Sequence, residues 1–191
     1  MRFKFLPLFG FLAAAACFWV AASRYPGGYD LNRHYFSTLL RGVPGPERIP
    51  AIAGVLIYCA SIAVVFVRLA RAVGSSRISN VIRIAGIGSM VYSSLVITPM
   101  HDLMVTISIP FFVVAMLALL WVHYERRIIG FLITGIVCFV LLLTSVTIYY
   151  SGHFVSVLPW AQRTLFALFA IWLISLDLRA PRLRLVEKRI S

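Results

Sequence analysis

Long apolar runs alternate with short polar connections along this chain. A helix of about 17–25 apolar residues is long enough to cross the hydrocarbon core of a bilayer. Runs that are apolar on every side predict membrane spans rather than amphipathic helices of a soluble core. Six such runs are present, at residues 5–23, 51–70, 83–99, 103–122, 128–149 and 160–178. The pattern therefore predicts an all-α, polytopic membrane helix bundle with six transmembrane helices, formed by residues 1–178 as a single domain.

The first run also has features of a secretory signal peptide. Basic residues precede it, and Val20-Ala21-Ala22 resembles a small-residue cleavage site. The run of about 19 apolar residues is nevertheless long enough to span a bilayer. We therefore expect an uncleaved first span.

Composition supports the membrane interpretation. Hydrophobic residues make up 61% of the chain and charged residues 13%, about half the charged share of a soluble domain. This excludes a soluble globular protein, a disordered chain and a disulfide scaffold. Cys17, Cys59 and Cys138 all lie inside apolar runs, where we expect them to act as apolar fillers, without disulfides or a cysteine metal site.

The distribution of basic residues predicts the orientation. Thirteen of the 18 Lys and Arg residues fall on one side of the predicted spans, and that side is expected to be cytoplasmic. Both termini are then cytoplasmic, and residues 24–50, 100–102 and 150–159 connect the spans on the outer face. Because the bases border apolar runs, the net charge of +12 favours anionic lipid headgroups over nucleic acid as partner. The basic tail, residues 179–191, is expected to anchor on the cytoplasmic leaflet.

The first outer connection, residues 24–50, is the longest and is expected to be structured. Its segment 30–41 has an apolar stripe and a polar stripe at helical spacing, which predicts a short amphipathic helix at the membrane interface. An alternative is that this segment folds over the bundle as a lid, with its polar stripe turned inward. The polar stripe consists of Asp30, His34, Ser37 and Arg41.

Side chains that could bind a ligand or take part in catalysis lie in the three predicted outer connections and next to them. A hairpin bundle gathers these connections at one end, so a ligand site is predicted there. Asp102 is also expected to be the N-cap of the fourth span, and Arg163 is expected to pair with Asp102 or with a lipid phosphate. The predicted ligand-binding residues are Asp30, His34, Ser37, Arg41, His101, Asp102, His153 and Arg163.

Two catalytic alternatives use residues of the same connections. Imidazole and carboxylate groups suit zinc, which activates a bound water for hydrolysis. The candidate zinc ligands are His34, His101, His153 and Asp102, although no HxxxH, HExxH or CxxC spacing is present. A metal-free nucleophile site with Ser37 or Ser151 remains open, without a local motif. Our expectation is that the protein holds no cofactor, with zinc as the alternative.

Three segments resemble a bacterial six-helix membrane family. They are YPGGYDLNRHYFSTL after the first span, MHD between spans three and four, and WAQRTLFALFAIWL in the last span. The family is known as domain of unknown function nine-nine-eight and is related to the Frag/DRAM/Sfk membrane proteins. The resemblance implies a six-span bundle in the bacterial inner membrane with a structured first outer loop, and no particular reaction.

A more distant similarity is to alkaline ceramidase-like membrane hydrolases. Ser94, His101 and Asp102 occupy roughly corresponding places. The histidine pair at HxxxH spacing and the seventh span of those enzymes are missing from this sequence, which puts the metal centre in doubt.

These observations favour a membrane protein that binds a lipid-like ligand or a protein partner at its outer face. Charged residues are absent from the middle of every predicted span, which argues against an ion-coupled transporter. The alternatives are a metal-dependent hydrolase of amphiphilic substrates and an accessory subunit of a larger membrane complex. Whether the protein is an enzyme is left open.

A reporter fusion tests the predicted orientation. Green fluorescent protein joined after Ser191 should fluoresce, because the C-terminus is expected to be cytoplasmic. Alkaline phosphatase joined at the same residue should be inactive. The opposite pair of results would reverse the predicted topology.

Overall fold

The computed structural model describes residues 5–42, 45–74 and 76–190, with side chains through Arg179. All regular elements within these ranges are helices. Two short 3-10 helices, Gly45–Arg48 and Leu95–Ile97, adjoin α3 and α4. The α-helices are α1 (Leu6–Ser23), α2 (Thr38–Arg41), α3 (Ile49–Val73), α4 (Arg77–Ser94), α5 (His101–Glu125), α6 (Ile129–Ser151) and α7 (Leu158–Ile190).

The described residues contain six helices that are long and apolar enough to cross a membrane. This confirms the predicted number of spans and the all-α, multi-pass fold. The spans lie at Leu6–Ser23, Gly45–Val73, Arg77–Ile97, His101–Glu125, Ile129–Ser151 and Leu158–Arg179. Charged side chains in these segments sit toward the ends, as expected from the cost of placing a charge at the bilayer centre, about 2.5–3.5 kcal/mol.

Neighbouring long helices pack against each other in opposite directions. Helix α1 lies on α3, α3 on α4, α4 on α5, α5 on α6, and α6 on α7. Helix α7 also packs on α3, so α3 contacts three long helices and α1 is attached at the periphery. We call the end with residues 24–42, 45–48, 95–100 and 152–157 the cap end, and the end with residues 74, 76 and 126–128 the turn end.

The largest cluster of buried side chains lies in the half of the bundle nearer the turn end. Close approach of helices there depends on two glycines: a β-carbon on Gly86 would collide with Phe66, and one on Gly135 would lie 2.7 Å from Trp172 Cζ2. The Trp172 indole donates to the Phe131 carbonyl at 3.0 Å, which satisfies its buried N–H. Fully buried members of the cluster include Ile62, Phe66, Met116, Leu119, Trp172 and Leu173.

At the cap end, apolar side chains of the first loop are buried between the spans. Leu39 and Leu40 of α2 are buried against Ala21 and Ala51. Burying a leucine side chain stabilises by about 1.5–3 kcal/mol. Helix α2 therefore packs its two buried leucines between α1 and α3.

The helix predicted over residues 30–41 is mostly absent. Only Thr38–Arg41 is helical, and residues 31–33 and 36–37 are turns. Two carbonyls of this segment are used by Arg163 instead of by helical hydrogen bonds, as described below. The prediction of Asp102 as an N-cap is also wrong: Met100 holds that position, and Asp102 lies in the first turn of α5, where a negative charge still suits the helix dipole.

One buried ion pair joins two helices near the turn end. Arg68 Nη1 lies 2.8 Å from Asp177 Oδ2, and the Asp177 side chain is 6% exposed. Arg68 of α3 is thus the base that pairs with Asp177 of α7.

Replacing Asp177 by Ala should lower the free energy of unfolding by about 3 kcal/mol, because Arg68 loses its carboxylate in a low-dielectric site. Chemical unfolding in detergent measures the change. Glu125→Ala is the matched control, since Glu125 is an exposed acid at the same end, and its effect should stay within about 0.5 kcal/mol. Equal losses in both variants would contradict the assignment.

Candidate functional site

Side chains of the first loop meet the adjoining ends of α5 and α7 at the cap end. The first loop contacts the start of α5 through Arg41 and Asp102. It contacts α7 through Asn32 and Trp160. The antiparallel packing thus brings together groups that are more than a hundred residues apart in the sequence.

Asp102 accepts hydrogen bonds from three elements. Arg41 Nη2 lies 2.9 Å from Asp102 Oδ2, and the Tyr149 hydroxyl donates to Asp102 Oδ1 at 2.9 Å. His101 Nδ1 lies 3.0 Å from the same oxygen. These four residues form the Asp102 cluster, which joins α2, α5 and α6. The carboxylate is therefore held in place while its side chain stays about half exposed.

A second contact ties α5 to α6 one turn deeper. The hydroxyls of Thr106 and Tyr150 lie 2.7 Å apart. The Thr106 oxygen also lies 2.8 Å from the Asp102 carbonyl oxygen, which accepts its proton. The α5–α6 contact below the Asp102 cluster is thus built from hydroxyl groups.

Arg163 of α7 holds the first loop by its backbone. Its Nη2 donates to the His34 carbonyl at 2.5 Å and to the Tyr29 hydroxyl at 3.1 Å, and its Nη1 donates to the Leu31 carbonyl. The guanidinium also lies 5.6 Å from the Tyr29 ring centroid and 5.8 Å from that of Trp160, within cation–π range. These contacts define the Arg163 cluster: Tyr29, Leu31, His34, Trp160 and Arg163.

The predicted partner of Arg163 among the protein residues was Asp102, and this is wrong. Asp102 is bound by Arg41 instead. Arg163 has carbonyl and phenol oxygens as its partners among the described residues, so its positive charge is not balanced by a carboxylate there.

Arg48 is a second guanidinium of this kind. Its Nη2 donates to the Ile97 carbonyl at 2.5 Å, which ties the start of α3 to the end of α4. Its Nε is buried and has no hydrogen-bond partner within the described part of the chain. A buried N–H without an acceptor costs about 1–3 kcal/mol, so this group is left unsatisfied within the described residues.

Several large apolar side chains at the cap end are exposed. Phe154, in the α6–α7 connection, is 77% exposed and has a left-handed backbone with φ of 58°. Trp160 is 50% exposed, and Tyr150 and Leu31 are exposed to a similar degree. Aromatic residues beside cations at the end of a span are typical of a membrane–water interface.

Asp30 does not join either cluster through its side chain, whereas the His34 ring contacts Tyr29 of the Arg163 cluster. Asp30 accepts the Asn32 N–H at 2.8 Å and lies 3.5 Å from Arg33, so its carboxylate stabilises its own turn. The His34 ring accepts the Asp30 N–H at 3.0 Å and packs on Tyr25 and Tyr29.

Ser37 and His153 are likewise outside the clusters. Ser37 precedes α2 without a side-chain capping bond. His153 is exposed, and its Nδ1 lies 3.1 Å from the Ser151 carbonyl oxygen within its own turn. Of the eight predicted ligand residues, Arg41, His101 and Asp102 lie together through side chains, and Arg163 reaches His34 through the backbone.

The candidate zinc ligands do not converge within the described residues. Over the described residues, His, Cys, Asp and Glu side chains do not form a group of three or more that could hold a metal ion. His34 and His101 are already engaged by Asp30 and Asp102. The arrangement therefore gives no support to the hydrolase alternative.

The sequence pattern missed several residues of the site. Tyr29, Asn32 and Arg48 carry no periodic signal, and their roles depend on contacts with distant elements. Tyr149 and Tyr150 lie at the end of the fifth predicted span, 128–149. Their position at the end of a span, opposite the start of another, was the signal that could have placed them beside Asp102.

Fold and site together define a multi-pass membrane protein of six spans, with a first loop packed onto one end of the bundle. Comparison with known proteins adds no assignment, because no family model, no curated protein and no solved structure matches this chain. The family resemblance of the three sequence segments remains a prediction.

Replacing Arg163 by Gln should release the first loop. Loss of its charged hydrogen bonds should lower the local opening free energy by about 2 kcal/mol, which makes amide exchange of residues 29–35 about 30-fold faster. Hydrogen–deuterium exchange with mass spectrometry measures this. Arg33→Gln is the control, because Arg33 is exposed and pairs with Asp30 within its own turn; similar exchange in both variants would refute the role of Arg163.

Proposed function

We propose that this protein binds a phosphate-bearing amphiphile of net negative charge, such as an anionic phospholipid of the outer leaflet, at its cap end. The observation that carries the proposal is the pair of guanidinium groups, Arg48 and Arg163, that have no carboxylate partner within the described residues and lie in the region of exposed aromatic side chains. A phosphate bound there would balance their charge, and the aromatic side chains would contact the apolar part of the ligand.

The excess of bases over acids at the cap end supports an anionic ligand. The cap end holds more bases than acids, and two of its acids are already used in ion pairs with Arg33 and Arg41. A guanidinium binds phosphate oxygens in a bidentate geometry that matches its planar fork. The bases are Arg24, Arg33, Arg41, Arg48 and Arg163, and the acids are Asp30, Glu47 and Asp102.

The surroundings favour an amphiphile over a soluble anion. Phe154 and Trp160 are exposed large apolar groups in and next to the α6–α7 connection. An aromatic ring placed at headgroup depth contacts both the polar and the apolar parts of a lipid. A soluble anion would leave these rings without a partner.

The proposal includes a location and an orientation. We place the protein in a bacterial inner membrane with both termini cytoplasmic, so that the cap end faces outward and the basic tail, whose side chains beyond residue 179 lie outside the described part of the chain, contacts anionic headgroups of the inner leaflet. The excess of bases on one side supports this orientation. The alternative proposal for the cap end is a protein partner that contacts the exposed aromatic groups.

Lipid titration with a local readout tests the proposal. The full chain in phosphatidylcholine nanodiscs should show slower amide exchange in residues 24–42 when phosphatidylglycerol is included. At about ten times the dissociation constant the local opening should become about tenfold rarer. Hydrogen–deuterium exchange with mass spectrometry localises the effect to the first loop.

Matched variants identify the responsible charge. Arg48→Gln should abolish most of the lipid-dependent protection, because it removes one uncompensated cation. Arg33→Gln carries the same charge change in an exposed residue of the same end and should keep the protection. Absence of any protection in the wild-type protein, or equal loss in both variants, would refute a specific cap-end site.

A further inference from the structure

The largest excess of positive charge in the described chain lies at the turn end. Only one acid there, Glu125, is not engaged by the buried ion pair between Arg68 and Asp177. Most of the bases are exposed to solvent or to headgroups. The arginines are Arg68, Arg71, Arg77, Arg83, Arg126, Arg127 and Arg179, and the acids are Glu125 and Asp177.

Arg127 has a backbone conformation that glycine usually adopts. Its φ is 50°, in the left-handed region that crowds a β-carbon. The turn is a helix C-cap of the Schellman type: Arg127 N donates to the Tyr124 carbonyl at 3.1 Å and Ile128 N to the His123 carbonyl at 3.0 Å. Glycine is the common residue at this position of the motif. The β-carbon of this exposed arginine therefore adds a steric penalty to the turn. The capping hydrogen bonds are made by backbone atoms and do not require the arginine side chain.

The two connections of the turn end lie against each other. Arg126 Nη2 donates to the Val73 carbonyl at 3.3 Å, which joins the α5–α6 connection to the end of α3. Arg71 is two residues before Val73, and Arg77 begins α4. Arg71, Arg77, Arg126 and Arg127 thus all lie at this end of the bundle, in or next to its two connections, and we call them the turn-end patch.

Exposed aromatic residues precede this patch on α5. Trp121 and Tyr124 are 52% and 65% exposed, and their ring centroids are 6.1 Å apart. They lie within two turns of Arg127 at the end of a span, where aromatic side chains mark headgroup depth. Arginines above an aromatic pair at this depth match a lipid with a charged headgroup rather than a soluble polyanion.

We infer that the turn-end patch binds the headgroup of an anionic phospholipid. Arg127 and Arg71 would contact the phosphate, while Arg126 keeps the two connections together through Val73. In a purely structural role, an arginine would donate hydrogen bonds to carbonyls at a helix end. This accounts for Arg126, but it does not explain an arginine instead of a glycine in the left-handed turn at position 127. The inference uses only side chains at the turn end and is independent of the cap-end proposal.

Arg127→Gly separates binding from folding. Glycine relieves the crowded backbone, so the unfolding midpoint in lipid-free detergent should be unchanged or higher. Affinity for phosphatidylglycerol, measured by native mass spectrometry of the detergent-solubilised full chain, should fall about fivefold, as expected for one base near a charged headgroup. Arg71→Gln should weaken binding by a similar factor. Arg24→Gln is the matched control, an exposed arginine of the cap end, and should bind like the wild type.

Several results would overturn the inference. Equal weakening by Arg24→Gln would indicate a response to net charge alone. Unchanged lipid affinity in both Arg127→Gly and Arg71→Gln would remove the patch as a site. Displacement of the lipid by inorganic phosphate at equal concentration would indicate a free-anion site. Cap-end binding is read separately, by amide exchange in residues 24–42, and Arg127→Gly should leave that protection intact.

Discussion

A hydrocarbon layer offers no water to backbone N–H and C=O groups, and this constraint governs the architecture of the chain. Every segment that crosses it must satisfy its own backbone, which restricts the spans to helices. The six long apolar helices meet that requirement, and the irregular backbone of the described residues lies in the connections at the two ends. Polar side chains are concentrated where water and headgroups are accessible. The two candidate binding surfaces occupy opposite ends of the bundle for this reason.

At the cap end, guanidinium groups replace water as partners of loop carbonyls. Arg163 donates to the carbonyls of Leu31 and His34, and Arg48 donates to that of Ile97. Each contact fixes an irregular segment to a helix without a neutralising carboxylate. The cap is thereby ordered and remains positively charged, a combination that suits an anionic ligand better than it suits a closed structural core.

Hydropathy was sufficient for the spans because it is summed over about 20 residues and needs no knowledge of neighbours. It failed in the segment 30–41, where period alone suggested one helix. A helix would have directed the Leu31 and His34 carbonyls to the N–H groups of Tyr35 and Thr38. Arg163, far away in the sequence, takes those two carbonyls instead, and only Thr38–Arg41 remains helical. The local sequence pattern contains no information about a hydrogen-bond donor on another helix that competes for these carbonyls.

The chain's own sequence determined a six-span, all-helical membrane protein, the clustering of its bases on one side, and the collection of His, Asp and Arg residues in alternate connections. Tertiary structure decided which of those residues meet: Asp102 joins Arg41 and Tyr149 rather than Arg163, and the histidines take separate partners. The physical reason lies in the range of the two effects. Transfer into lipid depends on each segment's composition, whereas hydrogen bonds require atoms within about 3 Å, and only helix packing sets those distances.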